Sequence, residues 1–562
     1  MQRGTVSKGD SRPKNDLTAY AGRWVAQLDG RIIGQGGTPE QAIQSAKMAR
    51  HKEIPHVMYV PTKHPFEFSP ELNQVRQVLP PGKRVYLVGG AVRDVMLSRT
   101  VHDYDFVLAS DALQVARMVA NRLRAAYFPL DEERQTARII FSNDRGERIV
   151  MDFSVFRGPD LESDLRARDF TINAMAVDLD QPQALLDPLA GASDLLNKTL
   201  RACSSASFQN DPVRILRAIR LAADLDMHLL PETRVMMEKS VAGVAQISPE
   251  RLRDELFRIF EGPKPHTSIR ALEMLKILPY VLPELPYLKG IEQSPPHTKD
   301  VWEHTLDTLR NLELLLNVLS QPHDPESASN LILGLAVMQL GRYRKQMADH
   351  LKKELIPDRN IRSLLFFSAL YHDIAKPQTR DLDGDGRIRF INHENIGSKL
   401  ISSRAEALHL SNAEMDRLGI LVKHHMRPTH LAREKGDPSP RAIYRFFKDA
   451  GDAGVDICWL SLADLLATYG VTLPQERWAR QVEVVRILLE AWWEQPIEKV
   501  NPPNLVTGND LMVEFDLASG PLIGELLEIV REAQVSGEVS NRKDALEYVR
   551  HNLKGRRETS DD

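Results

Sequence analysis

Residues 85–107 read VYLVGGAVRDVMLSRTVHDYDFV, and the architecture of the chain turns on them. Val85–Val88 has the pattern of a buried strand, Gly89-Gly90 that of a turn, and Ala91-Val92-Arg93-Asp94 that of a helix start. A second strand then carries His102-Asp103-Tyr104-Asp105-Phe106-Val107. Side chains alternate across a strand, so Asp103 and Asp105 share one face while Tyr104 and Phe106 take the other. Two carboxylates on one face can hold a pair of Mg²⁺ ions roughly 3.5–4 Å apart, the arrangement used for in-line phosphoryl or nucleotidyl transfer. Glycines at 89 and 90 let backbone amides approach a triphosphate, and a helix N-terminus behind them favours the anion. A tight turn and a pair of solvated aspartates would each explain one half of the stretch; the two in this order favour nucleotide chemistry.

Working outward, 562 residues allow about three to five domains. A hydrophobic content of 42% with 27% charged residues provides ample core for a soluble chain. The two cysteines, Cys203 and Cys458, are far apart and without metal-ligand spacing, which points to a reducing compartment and away from a disulfide framework or zinc ribbon. No stretch approaches the roughly 20 apolar residues of a membrane span, and Met1-Gln-Arg-Gly opens no apolar signal core. The expectation is a cytoplasmic protein with no membrane partner. A net charge of −4 and a pI near 6.5 exclude a globally basic, histone-like binder. Any RNA contact must come from local basic surface, since phosphate neutralisation depends on charges at the interface.

Residues 1–16 are polar and expected to be disordered. Arg23–Leu28 and the stretch from Arg31 read as strands around an Asp29-Gly30 turn; Thr38-Pro39-Glu40 opens a helix, and Val57–Val60 is a third strand. This predicts a small ββαβ module to which no chemistry attaches beyond an accessory role. Strands and helices alternate from about 66 to 200, including Arg138–Phe141 and Arg148–Phe153. From about 201 onward the pattern is almost wholly helical, and many of the 34 prolines fall between helices.

Further candidates follow along the chain. Asp152 lies on a strand as a third acid, able to complete a metal site or orient a primer hydroxyl, or simply to face solvent. In Asp164-Leu-Arg166-Ala-Arg168-Asp169-Phe170-Thr171-Ile172-Asn173-Ala174, the apolar tail is core. The Arg168-Asp169 pair can hold phosphate or ribose oxygens and accept a ribose hydroxyl, or form a surface ion pair. In Asn210-Asp211-Pro212-Val213-Arg214-Ile-Leu-Arg217-Ala-Ile-Arg220, Asp211 is placed as an N-cap with Pro212 at the first helical position. Arg214, Arg217 and Arg220 recur every third residue as a cationic stripe, which is either a solvated face or a cradle for a triphosphate. Asp211 with Arg214 is placed to hydrogen-bond a base edge.

These motifs, in order and joined by Ser248-Pro249-Glu250-Arg251, closely resemble the bacterial tRNA nucleotidyltransferase / poly(A) polymerase family of the polymerase-β superfamily, over roughly residues 66–262. Asp152 is the third catalytic candidate from the residues themselves, and the resemblance implies that Asp103 and Asp105 are the catalytic metal ligands. It implies that Gly89, Gly90, Arg93 and Asp94 hold the triphosphate and primer terminus, and that Arg168 and Asp169 read the ribose. Asp211 and Arg214 would read the incoming base as an amino-acid template, with Arg217 and Arg220 steadying the phosphates. The implied reaction builds the CCA end of tRNA from CTP and ATP with Mg²⁺. Two departures stand out. The family's double arginine is spaced here as Arg166-Ala167-Arg168, and the acid preceding the base-reading Asp is Asn210, which bears on nucleotide choice.

The helical body carries a second set: His304, His372-Asp373, His393, His424-His425 and Asp464. Imidazoles and carboxylates suit divalent ions that activate water for phosphoester hydrolysis. The ordered set resembles the HD phosphohydrolase domain, which implies His304, His372, Asp373 and Asp464 as ligands of a divalent metal. Asp381-Leu-Asp383-Gly-Asp385-Gly386 begins like a calcium loop, but its twelfth position would be Asn392, and a polar turn is the better reading. Leu505–Met512 and Gly520–Leu527 resemble the segment that follows the HD domain in tRNA nucleotidyltransferases, and Lys543, Arg550, Lys554, Arg556 and Arg557 make its end basic, as a solvated helix end or an RNA contact.

The expectation is thus an α+β chain. An accessory module occupies 1–62 and a polymerase-β-like nucleotidyltransferase head 66–200. An all-helical neck binding nucleotide and RNA spans 201–265, an HD domain 266–480 and a tRNA-binding tail 481–562. Alternatives are a poly(A) polymerase, or an HD phosphohydrolase with an RNA-binding head.

Overall fold

The computed structural model describes residues 20, 23–28, 31–36, 39–48, 55–60, 68–80, 82–182, 185–320 and 331–558. The polar start, the Asp29-Gly30 turn and the Thr38 cap lie outside the described residues. Two compact units divide the chain after Gly243.

In the first unit, β1 (Arg23–Leu28) pairs antiparallel with β2 (Arg31–Gly36) on one side and β3 (His56–Val60) on the other. Helix α1 (Pro39–Met48) packs Ala42 and Ala46 against Trp24 and Ala26. It comes so close that a Cβ on Gly34 would stand 2.4 Å from the Ala42 carbonyl oxygen, so only glycine fits there. The predicted ββαβ order is realised among the described residues.

The head follows as α2 (Pro70–Val78), β4 (Tyr86–Val88), α3 (Gly90–Met96), β5 (Asp103–Leu108) and α4 (Ala112–Leu123). It continues through β6 (Ala126–Asp131), β7 (Thr136–Ser142), β8 (Arg148–Val155), α5 (Leu161–Arg166), β9 (Ala176–Asp178) and β10 (Leu185–Leu186). Its seven strands lie in the order β10-β9-β4-β5-β8-β7-β6, with β5 and β8 parallel and the other neighbours antiparallel. Tyr104, Phe106, Met151, Phe153 and Ile139 form a buried face, Phe106 stacking on Phe153 at 4.6 Å, while α4 supplies Val115, Ala116, Val119 and Ala120 to the core. At roughly 25 cal/mol per Å², burying such side chains is worth about 1.5–3 kcal/mol each. On the opposite face of β5, Asp103 and Asp105 stay open while Val107 is buried beside Tyr86 and Val88.

Three helices complete what concerns the site: α6 (Gly191–Leu196), α7 (Ser207–Asn210) and α8 (Arg214–Asp224). Asp211 is not the expected side-chain N-cap. It ends α7 in extended backbone (φ −151°, ψ 93°), Pro212 and Val213 form an intervening turn, and α8 starts at Arg214 without a side-chain cap.

The second unit is helical. Helix Val301–Ser320 lies along Ala453–Tyr469, and His393–Ala407 pairs with Asn412–His424, whose start is fixed by a Ser411/Glu414 capping box. The window Ala453–Thr472 is long and apolar enough to cross a membrane by length and composition, contrary to the sequence reading, but 67% of it is buried inside the unit and it carries Asp456 and Asp464. Asp456 is fully buried, with His350 Nε2 at 2.8 Å and Arg417 Nε donating at 2.9 Å. The segment from Asp381 is a β-hairpin turn. Asp383 Oδ1 accepts from the N–H groups of Asp385 and Arg387, so no calcium loop forms. At the C-terminal end, Arg550 pairs with Glu514 at 2.7 Å. The side chains of Lys554, Arg556 and Arg557 lie outside the described residues.

Candidate active site

Asp103 and Asp105 stand together on the open face of β5, as strand alternation requires. Parallel pairing sets Asp105 directly beside Asp152 on β8, and antiparallel pairing sets Asp152 beside Arg138 on β7. The three acids therefore share a face. Asp152, however, already accepts two 2.8 Å hydrogen bonds from Arg138, one on each oxygen. A guanidinium fork competes for the lone pairs that a metal would need, so the geometry leaves Asp103 and Asp105 as the better-placed ligands. All-oxygen donors on an open face suit a hard divalent cation. The Asp105 side chain reaches solvent, yet its carboxyl is pushed above the ordinary range. Crowding by protein is the main cause; Arg168 opposes it, and the charges of Asp152 and Asp103 add to it.

Gly89 caps α3 at φ 77°, a conformation that L side chains rarely adopt. A Cβ there would stand 2.9 Å from Asp105 Oδ2 and 3.3 Å from Arg168 Nη1, so the glycine keeps the space between carboxylate and guanidinium clear. Helix α3 itself is only seven residues long, and clearance, rather than a sustained helix dipole, is what the Gly-Gly turn supplies.

The arginines are more committed than the sequence suggested. Arg93 donates to both oxygens of Asp94 (2.9 and 2.8 Å) and to Asn173 Oδ1 (2.7 Å). Arg168 donates through Nε and Nη2 to Asp164 Oδ2 (3.1 and 2.9 Å), which leaves Nη1 as the group next to Gly89. Arg166 turns outward to Glu162, so the site rests on Arg168. Asp169 is buried and accepts from Phe170 N–H, Asn173 Nδ2 and Arg217 Nη1. Burial works against its charge, but Arg217 and these hydrogen bonds outweigh it and hold the carboxyl below its usual range.

The stripe on α8 is not a solvent face. Arg214 is 9% exposed and donates to the carbonyl oxygens of Arg168 (3.1 Å) and Ala167 (2.9 Å) and to Ser207 Oγ (2.9 Å); only its Nε faces Asp211, at 3.9 Å. Arg220 lies 3.5 Å from Asp224. Arg214 thus ties α8 to the segment that carries Arg168, with its Nε left toward Asp211. Asp164, Asn173, Ser207 and Arg138 are the residues that sequence reasoning missed. For Asp164 the signal was available, since it stands four residues before Arg168 on one helical face.

In the second unit, His304, His372, Asp373 and Asp464 come together as predicted. His304 Nε2 lies 2.9 Å from Asp464 Oδ1 and 3.5 Å from Asp373 Oδ2, and His372 Nε2 lies 3.1 Å from Asp373 Oδ2. His393 and His425, from the same motif series, join them. Lys376 Nζ stands 2.7 Å from Asp373 Oδ2. A cavity of about 890 Å³ opens in front, walled by the hairpin residues Arg387, Arg389 and Phe390 and by Tyr469, with Arg433 and Arg477 also at its edge.

Burial lowers the pKa of His425 to about 3 and that of His297 to about 4, the neighbouring cations adding to the effect. On His372, burial is outweighed by Asp373, and the pKa rises. A histidine held below its unfolded value near 6.5 stabilises the fold while neutral; that stability is lost as pH falls from 6.5 toward the folded value. His372, raised by Asp373, contributes stability that is fully present below pH 6.5 and is lost only as pH rises through its folded value, so it offsets neither in this window. The chain in chelator should therefore lose stability at roughly 2–3 kcal/mol per pH unit between pH 6.5 and 4. Urea midpoints at pH 6.5, 5.5 and 4.5 check this, and a flat profile would refute it.

The model described as the Poly A polymerase head domain matches residues 85–201, and that described as a probable RNA and SrmB-binding site of polymerase A matches 226–288. An HD domain model matches 335–454, which includes His372, Asp373, His393 and His425 but neither His304 nor Asp464. A tRNA nucleotidyltransferase domain 2 model matches 476–549, and residues 16–63 match a family of unknown function. The chain is 34% identical over 477 residues to the A-adding tRNA nucleotidyltransferase of Deinococcus radiodurans, covering 84% of this chain and 95% of the relative. It is 31% identical to the CC-adding tRNA nucleotidyltransferase of Geobacter sulfurreducens, covering 83% and 92%. The CCA-adding enzyme of Thermotoga maritima, solved with tRNA, shares the fold at 20% identity with a TM-score of 0.51, covering 86% and 96%.

Proposed function

The chain belongs to the tRNA nucleotidyltransferase family, with a poly(A) polymerase-type head and an HD domain, and from that premise we propose that it adds all or part of the CCA end to tRNA from CTP and ATP without a nucleic-acid template. The observation that carries the reading is the head's open face. Asp103 and Asp105 are side by side, and Gly89 leaves room between Asp105 and Arg168. In the reaction the terminal hydroxyl oxygen of the RNA forms a bond to the α-phosphorus, the α–β bridge breaks, and pyrophosphate leaves. Asp103 and Asp105 would hold Mg²⁺, which on binding neutralises developing charge and acidifies the primer hydroxyl.

The chain's own groups do the rest. Arg168, kept in place by Asp164, directs Nη1 toward the space beside Gly89, where a ribose or phosphate oxygen can accept from it. Arg217 and Asn173 fix Asp169 as a charged acceptor. Asp211 lies against the one face of Arg214 not taken by backbone carbonyls or Ser207, and this pair is the proposed reader of the base. Both cysteines are free thiols, in keeping with work in the cytoplasm.

Transcripts ending before CCA, after C and after CC, each given CTP, ATP or both, test the reading. Addition of C residues, of a terminal A, or of all three, confined to tRNA, is expected. Long A tracts on unrelated RNAs, from ATP alone, would instead make the chain a poly(A) polymerase.

A second reading concerns the helical unit. We propose that its His/Asp cluster is a metal-dependent phosphoester site, supported by buried ligand atoms that lack hydrogen-bond partners and by the arginines around the cavity.

A further inference from the structure

The strand pairings of the head set one row of side chains across its open face. Asp105 on β5 lies beside Asp152 on β8, Asp152 opposite Arg138 on β7, and Arg138 opposite Phe128 on β6. Directly paired residues project from the same face of a sheet, so Phe128, on the edge strand, shares the face that Asp103 and Asp105 occupy. Three strand spacings of about 4.8 Å, or about 14 Å in all, separate Asp105 from it.

The row is open along its length. The side chains of Asp152 and Arg138 are 28% and 40% exposed, and Phe128 is 46% exposed. Other rings of this sheet are partnered. Tyr127, on the other face, has the Arg117 guanidinium 3.7 Å over its ring, and Phe106 stacks on Phe153 in the buried layer. Among the described residues no aromatic ring or cation stands on Phe128. Pro129 beside it has no N–H to donate, and the register shifts across Leu130, so β6 is a poor template for a further strand and presents its face rather than its edge.

The chemistry of this face selects the occupant. The terminal hydroxyl of the RNA must reach Asp103 and Asp105, which places the nucleotides before it over the adjoining surface. On one flank of Asp105 lie its partner Val88, then Gly89 and Arg168, where the incoming nucleotide is proposed to bind. The flank left to the RNA is the row that ends at Phe128. Unpaired RNA ends are held by stacking on aromatic side chains, and every base offers a π-face. Beyond the ring the hairpin carries Asp131, Glu132 and Glu133, with Arg134 drawn to Asp131, and this acidic tip repels a phosphate backbone.

We propose that Phe128 is a positioning residue for the RNA: an unpaired base a few nucleotides before the 3′ end stacks on its ring while the terminal hydroxyl meets the acids of β5. The inference rests on the nucleotidyl-transfer reading above.

The test uses the full chain and tRNA transcripts lacking part of the CCA end. Phe128→Ala should weaken binding of the transcript, read by fluorescence anisotropy without nucleotide, and raise its KM about fivefold or more, as loss of a base–aromatic stack does. The KM for CTP or ATP, and kcat at saturating RNA, should move far less. Phe128→Tyr and Phe128→Trp should restore RNA binding, whereas Phe128→Leu, apolar but without a π-face, should fall with alanine. The ring is half exposed, so these variants should melt with the wild type. On a transcript made abasic at the unpaired positions before its 3′ end, Phe128→Ala should cost nothing further. An unchanged KM for RNA in Phe128→Ala, or wild-type binding in Phe128→Leu, overturns the stack and leaves nucleotidyl transfer standing. A parent chain that adds no nucleotide to any transcript overturns both.

Discussion

Asp105→Ala is expected to lower nucleotide incorporation into tRNA at least about 10³-fold, equivalent to roughly 4 kcal/mol of transition-state stabilisation. Asp105 has less internal compensation than Asp152. Asp152 beside it is matched by the Arg138 fork, whereas Asp105 is crowded by protein and by two neighbouring acids, with Arg168 as the main opposing charge. Such a group is poised for a cation. The isosteric Asp105→Asn should be equally inactive yet at least as heat-stable in chelator as the wild type, since it relieves that crowded charge. Single-turnover incorporation of labelled CTP or ATP, with thermal melts alongside, gives both numbers. Activity within tenfold of wild type for either variant would remove Asp105 from the chemistry.

The second large effect concerns a residue with no contact to substrate in the proposed reaction. Asp164 is 1% exposed and takes both Nε and Nη2 of Arg168 on one oxygen, while its other oxygen accepts the Arg157 N–H. Asp164→Ala leaves a nearly buried guanidinium unpaired, and breaking such a pair from one side costs about 3–5 kcal/mol. It also frees Arg168 to swing from its place beside Gly89, so KM for the nucleotide should rise along with the loss of stability. Asp164→Asn loses the charge and keeps one acceptor oxygen, enough for Arg157 or for Arg168 but not for both, so it should fall between alanine and wild type. A double-mutant cycle with Arg168→Ala separates the pair from the rest of the fold. Additive losses, or an unchanged KM in Asp164→Ala, would reduce Asp164 to ordinary core.

Much of this molecule is local and therefore legible. The period-2 pattern of Asp103–Val107 places two acids on one face whatever the strand's neighbours, and the order of the ββαβ module follows from its turn and helix signals. The HD-type histidines and aspartates sit in recognisable motifs, and the helical unit does assemble them. What a local pattern does not settle is which side chain a cation meets. Three arginines at every third position of α8 look like a cationic face. One of them, Arg214, is instead an internal strut, because the carbonyls of Ala167 and Arg168 happen to be folded against it.

The sequence by itself determined that this chain carries two carboxylates on one strand face, a glycine turn before them, and a histidine–aspartate set in a helical body. Those signals are written in alternation, spacing and motif order, which survive without knowledge of distant contacts. Only the tertiary structure decided how the charges are spent. Asp152 is matched by Arg138 across two strands, Arg168 is steadied by Asp164, and Asp373 lies between two groups of imidazoles drawn from separate helices. Partner choice for a buried charge is set by strand register and helix packing over dozens to hundreds of residues, and no local pattern encodes it.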